Sequence, residues 1–140
     1  MLFPKKVKFR KWQTHRKNLS KIKADTRGTT LSFGSHGLKA ETYARITANQ
    51  LEAGRKVISR STRKGGKMWT RVFPDRPFTK KPAEVKMGKG KGAPEGYCVV
   101  VRPGRIIFEL DGVANDEAKD TLRKAGAKLP VKTRIISRMQ

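Results

Sequence analysis

"YCVVVRPGRIIFEL", residues 97–110, consists of two apolar, β-branched runs around a Pro-Gly pair. Pro103 and Gly104 suit the central positions of a type II turn, where the second residue needs a positive φ that glycine adopts freely. Valine and isoleucine run nearly without interruption instead of alternating with polar residues. That pattern predicts a central β-hairpin, covered on both faces or by helices on one.

The segments on either side supply the covering helices. Downstream, Asn115 with Asp116 and Glu117 in the first turn predicts the start of a helix. Ala118, Leu122, Ala125 and Leu129 form its apolar stripe, and Pro130 ends it. Upstream, Thr47 followed by Gln50 is a capping-box signature, and Gly65-Gly66 supplies a stop. Between them Leu51, Gly54, Val57, Ile58 and Ser61 share one face at helical spacing, while Lys56, Arg60 and Arg63 share the other. Gly54 on the apolar face predicts a close approach to a sheet. "TTLSFGSHGLKAETY" reads as a tight hairpin or bulged turn around Gly34 and Gly37. "KMWTRVFP" reads as a strand that Pro74 ends, and "VKTRIIS" as a last strand. Two helices packed on a mixed, mostly antiparallel sheet make an α+β domain over residues 29–140.

Charge narrows the partner. The 140 residues hold 34 Lys+Arg against 11 Asp+Glu, a net charge of +23. Such an excess repels itself in a compact chain unless a polyanion neutralises it, and nucleic acid is the expected polyanion. No Lys/Arg-rich amphipathic helix with a broad Trp/Phe/Leu face and no long apolar span point to a membrane. Cys98, the single cysteine, excludes an internal disulfide and reads as a small buried hydrophobe. His15 and His36 are too few and too isolated for a metal site.

Two segments carry the basic character. Residues 1–28 contain ten Lys/Arg and one acid, Asp25, with Phe3, Phe9 and Trp12 spaced among the cations. They read as an N-terminal arm that orders on RNA, cations on phosphates and rings on bases or on the body. Residues 74–96 form a long excursion inside the domain, and its "VKMGKGKGAPEG" (residues 85–96) alternates lysine with glycine. A phosphate loop fails there. G-x-x-x-x-G-K-[ST] lacks both its upstream glycine and its hydroxyl, and G-x-G-x-x-G meets Ala93 where the last glycine belongs. A long excursion inside one domain is uncommon and usually functional, so RNA contact is favoured over a passive linker. The acids form no pair with a histidine base and no nucleophile stands out, so no enzyme activity, cofactor or small-molecule substrate is expected.

These features together resemble the large-subunit ribosomal proteins of the L-sixteen family. The likeness runs through "MLFPKKVKFRK", "LSFGSHGLKA", "ITANQLEAGRKVISR", "GGKMWTRVFPDRPFTKKPAEVKMGKGKG" and "KLPVKTRIISR". It implies an α/β-hammerhead fold, a structural role in the large ribosomal subunit and no catalysis. Implied partners are 23S rRNA, tRNA and neighbouring large-subunit proteins. The rRNA-binding residues that it implies are Lys5, Lys6, Lys8, Arg10, Lys11, Arg16 and Lys17 in the arm. On and after the first helix they are Arg55, Lys56, Arg60, Arg63, Lys64 and Lys67. By the same resemblance Lys86, Met87, Gly88, Lys89, Gly90, Lys91 and Gly92 form a loop directed at tRNA near the peptidyl-transferase centre, in the A site, with the P site left open as an alternative or addition. Lys86 stands where arginine is common in the family, and residues 15–27 depart from its pattern. A bacterial cytoplasmic ribosome is expected over an organellar one. A free-standing basic RNA-binding or chaperone protein is the alternative.

Overall fold

In the computed structural model, which describes residues 1–138, seven strands and two helices build an α+β fold. The strands are β1 (His36–Ala40), β2 (Ala44–Thr47), β3 (Lys67–Thr70), β4 (Arg76–Thr79), β5 (Pro94–Val101), β6 (Ile106–Asp111) and β7 (Thr133–Ser137). The helices are α1 (Ala48–Ser61) and α2 (Asn115–Gly126). One sheet has the order β3-β6-β1-β7 and the other β2-β5-β4. Every pairing in the two sheets is antiparallel, so the expected parallel component is absent among the described residues.

The 97–110 stretch is not a hairpin. Its turn forms as expected, with Gly104 at φ +97° and the Arg105 N–H donating to the Arg102 carbonyl at 3.3 Å. The two strands then part into different sheets, β5 pairing with β2 and β4, β6 with β1 and β3. A type II turn has the wrong twist for a two-residue hairpin and splays its flanking strands. The turn docks instead on the end of β1, where Gly104 N–H reaches the Ala40 carbonyl at 2.7 Å and Ala40 N–H reaches that of Arg105 at 2.8 Å.

Both helices pack on each other and close the core against the sheets. Leu38, Phe108 and Leu110 come from the first sheet, Ile46 and Val101 from the second, and Leu51, Ile58, Leu122 and Ala125 from the helices. The predicted capping box is present: Thr47 Oγ1 accepts from Gln50 N–H, and Gln50 Oε1 accepts from Thr47 N–H at 2.9 Å. Gly54 does approach the sheet. A Cβ there would lie 3.0 Å from the Phe108 ring.

Other boundaries differ from expectation. Helix α1 ends at Ser61, where the Ile58 carbonyl accepts from both the Thr62 N–H at 3.0 Å and the Thr62 hydroxyl at 3.1 Å, and the glycine pair forms the turn after it. Helix α2 has no side-chain cap. Asn115 turns its Oδ1 to His36 Nε2 at 2.8 Å, so it is a bridge to β1 instead of a cap. Leu129 is buried but lies past the helix. The predicted hairpin around Gly34 and Gly37 is a single strand, β1, preceded by an irregular strap laid across β6. Strand β3 stops at Thr70, and the 74–96 excursion contains β4 and the start of β5.

Candidate nucleic-acid interface

Each arm cation named above is exposed: Lys5, Lys6, Lys8, Arg10, Lys11, Arg16 and Lys17. The arm is nonetheless laid on the body. The Met1 ammonium reaches Glu52 at 3.7 Å. Phe3 lies beside Thr47, Phe78 and Tyr97, and Trp12 beside Arg45, Phe78 and Cys98 on the outer face of the smaller sheet. The Arg76 guanidinium stands 5.7 Å from the Trp12 ring centre, a cation–π distance. This cover leaves Cys98 1% exposed, and burial pushes its thiol pKa up, as a small core hydrophobe requires.

The lysine-glycine segment projects from the same edge. Its base closes between Lys80 N–H and the Ala93 carbonyl at 3.3 Å, so the excursion proper is residues 80–93. Lys86, Met87, Gly88, Lys89, Gly90 and Lys91 are exposed, Met87 at 94%, while Gly92 is half-buried. Gly88, Lys89 and Gly90 all have positive φ (109°, 58° and 93°). A Cβ at Gly88 or Gly90 would meet nothing within 4 Å, so these glycines are required by backbone conformation and not by space. At Gly92 the reason is space, because a Cβ would come 2.9 Å from the Lys81 side chain.

Arm and loop touch. The Lys91 ammonium donates to the Trp12 carbonyl, and the Lys11 ammonium to the Lys91 carbonyl at 3.2 Å. Two groups of basic residues far apart in sequence thus become one surface.

The residues of α1 divide. Arg55 is committed to Glu52 through two hydrogen bonds, 2.9 Å and 2.6 Å, and that pairing holds the Glu52 carboxyl down at about 2. Lys56 and Arg60 are exposed on the helix, and Arg63, Lys64 and Lys67 are exposed after it. The last three follow the C-terminal end of α1, which lies about 9 Å along the helix axis beyond Arg55. They border β3, not the arm.

Among the described residues, side-chain ion pairs engage Arg55, Arg71, Arg105, Arg123 and Lys124, out of 34 Lys+Arg. Among the described residues the other Lys and Arg side chains have no carboxylate within 4 Å. Among the same residues there is no cluster of metal-ligating side chains and no helix long and apolar enough to cross a membrane.

Sequence reasoning missed Phe33, Trp69 and Arg71. Trp69 stacks on Phe33 with ring centres 5.9 Å apart, and the Arg71 guanidinium lies 4.7 Å from the Phe33 centre. Lys67, Trp69 and Arg71 recur at every second residue, which places them on one face of an extended segment. That alternation was the available signal; the contribution of Phe33 from a distant strap had none.

Residues 4–136 match the family described as ribosomal protein L16p/L10e. The chain is 52% identical over 139 residues to large ribosomal subunit protein uL16 of Nitrobacter winogradskyi, covering 99% of this chain and 98% of that one. It is 57% identical over 136 residues to the protein of that name from Rickettsia bellii, covering 97% of each. Its identity to the Rickettsia felis protein of that name is 55%, over the full length of both.

Proposed function

The chain belongs to the ribosomal protein L16p/L10e family, and from that membership we propose that it is a structural constituent of the large ribosomal subunit that binds 23S rRNA. The carrying observation is the cationic surface. Arm and loop meet through Lys11, Lys91 and Trp12, and the only partners that the two ammonium groups find in that contact are backbone carbonyls. Lysines so placed have charge to give to phosphates. In this reading the arm and the basic residues after α1 hold rRNA. The loop of residues 86–92 reaches tRNA near the peptidyl-transferase region, its positive-φ glycines letting the backbone approach phosphate closely. The protein performs no chemistry there. Neighbouring subunit proteins complete its surroundings, and the likeness to bacterial relatives supports a bacterial cytoplasmic ribosome as its location.

The test is equilibrium binding of the full chain to large-subunit rRNA across a salt series, together with sedimentation of tagged protein in a lysate. The expected slope of log K against log salt is steep, about −0.7 to −0.9 per phosphate neutralised. The protein should also stay with the large subunit at moderate salt. A flat slope would sink the RNA-binding reading itself, and release into the soluble fraction would favour a freely exchanging RNA-binding factor.

A further inference from the structure

The outer face of the larger sheet carries a feature that the core does not need. Phe33 is 55% exposed, yet it is held in a fixed place. Three consecutive N–H groups of its strap donate to the carboxylate of Glu109: Ser32 to Oε1 at 3.1 Å, Phe33 and Gly34 to Oε2 at 2.7 Å and 2.8 Å. Glu109 is fully buried, with Arg71 3.8 Å from Oε1. A buried carboxylate is costly unless its lone pairs are filled, and here they are filled by the strap itself. Such an arrangement fixes an aromatic ring outward, on the side of the sheet away from the helices. The ring rests on Trp69, with planes 19° from parallel. Lys67 stands 5.5 Å from the Trp69 centre, and Arg71 borders Phe33.

We propose that Phe33 and Trp69, backed by the Arg71 guanidinium, form a stacking platform for an unpaired nucleobase of RNA, with Lys67 meeting the phosphate beside it. The proposal rests on the rRNA-binding reading above and adds to it a site and a chemistry. Base on aromatic stacking is the general means by which proteins hold unpaired nucleotides, and a guanidinium plane extends such a platform. A paired base hides both faces in its own helix and has none to offer. An acidic peptide would use the cations but leave the rings without a partner. The remaining charge of this surface is of the sign that RNA requires, with Arg63 and Lys64 exposed just before β3.

The experiment uses the full chain with two probes: a single-stranded oligoribonucleotide carrying one 2-aminopurine, and the blunt duplex of the same length. Phe33→Leu keeps an apolar side chain but removes the ring, and Phe33→Tyr keeps the ring. The parent should quench the 2-aminopurine on binding. Phe33→Leu should lose that quenching and bind the single strand about tenfold more weakly, as expected for one stacked base. Phe33→Tyr should match the parent, and affinity for the duplex should not change. Lys67→Gln should leave quenching in place but lower the salt slope by about one phosphate's worth. Equal quenching and affinity for parent and Phe33→Leu would overturn the platform, as would an equal loss on the duplex. Either result leaves the steep salt dependence on large-subunit rRNA intact, whereas failure of the underlying reading abolishes that dependence in the parent itself.

Discussion

Replacing Glu109 by glutamine tests how the strap is held. Glutamine has nearly the same shape but only one acceptor oxygen. With that oxygen at the Oε2 position it still accepts from Phe33 and Gly34, now 2.7 Å and 2.8 Å from the carboxylate. The amide nitrogen then faces the Ser32 N–H and Arg71, and donates to neither. The part-buried Ser32 N–H left without its acceptor costs about 1–2 kcal/mol, and two bonds to a charged acceptor weaken to neutral ones, about 0.5–1 kcal/mol each. Relief from burying a charge offsets part of this, which leaves a net loss of about 1–3 kcal/mol. For a domain whose whole stability is roughly 5–15 kcal/mol, that is a large fraction. Urea unfolding should show a lower midpoint at unchanged slope, and hydrogen exchange should show faster amides at residues 32–34. The pH dependence gives a second readout. Burial pushes the Glu109 carboxyl up, but the Gly34, Ser32 and Phe33 N–H groups and Arg71 outweigh it and hold the pKa below the ordinary 4.5. A depressed folded-state pKa contributes stability in full above the unfolded value, and this is lost as pH falls below 4.5 toward the folded value. The stability difference between parent and glutamine variant should therefore shrink on acidification through that window. Unchanged exchange at residues 32–34 with a loss below about 0.5 kcal/mol would refute the anchoring argument.

Two further substitutions separate packing from charge. Gly34→Ala should destabilise by roughly 1–3 kcal/mol in the same urea assay, because its Cβ would sit 2.7 Å from the Leu110 carbonyl oxygen and 2.9 Å from its nitrogen, and backbone cannot rotate away. Lys89→Gln should leave stability and subunit occupancy unchanged but weaken tRNA binding to purified ribosomes, by up to about 1 kcal/mol and less at high salt. Lys91→Gln should show that effect and, in addition, free the arm, read as faster proteolysis around Trp12.

What could be read in advance follows the range of the interactions. The Thr47–Gln50 cap and the Gly54 contact are local patterns with one structural meaning, and both were visible in the sequence. The division of β5 from β6 was signalled only by the type II turn, which splays its strands, while the apolar runs on either side fit a hairpin equally well. Strand β4 was hidden by its own proline. Pro77 argues against a central strand, but β4 is the edge of its sheet, where a missing donor is tolerated. The strap resembled a strand, since its β-prone residues are the same. A strand partner is replaced there by the carboxylate of Glu109, which lies 75 residues beyond Gly34. Asn115 opens α2 as expected, but the bond from its side chain to His36 on another element had no local signal.

The acids explain why so little of the cationic surface is neutralised. Glu109 spends its charge on backbone N–H groups inside the fold. Asp111 accepts from the Ser35 hydroxyl at 2.9 Å and from Gly112 N–H at 2.9 Å, and these bonds hold its carboxyl below the ordinary range. Glu52 pins Arg55 and the Met1 ammonium, and Asp120 pairs with Arg123 and Lys124 on its own helix. Each of these carboxylates fastens a local element. None is placed among the lysines of the arm or the 86–92 loop, where only carbonyl oxygens receive the ammonium groups of Lys11 and Lys91. Lysines crowded without counter-charge repel one another by an amount that salt screens only in part at short range. In the rRNA-binding reading proposed above, the contact between arm and loop is weakest in the free chain, and phosphates of the RNA supply the anions that these carboxylates, used elsewhere, do not.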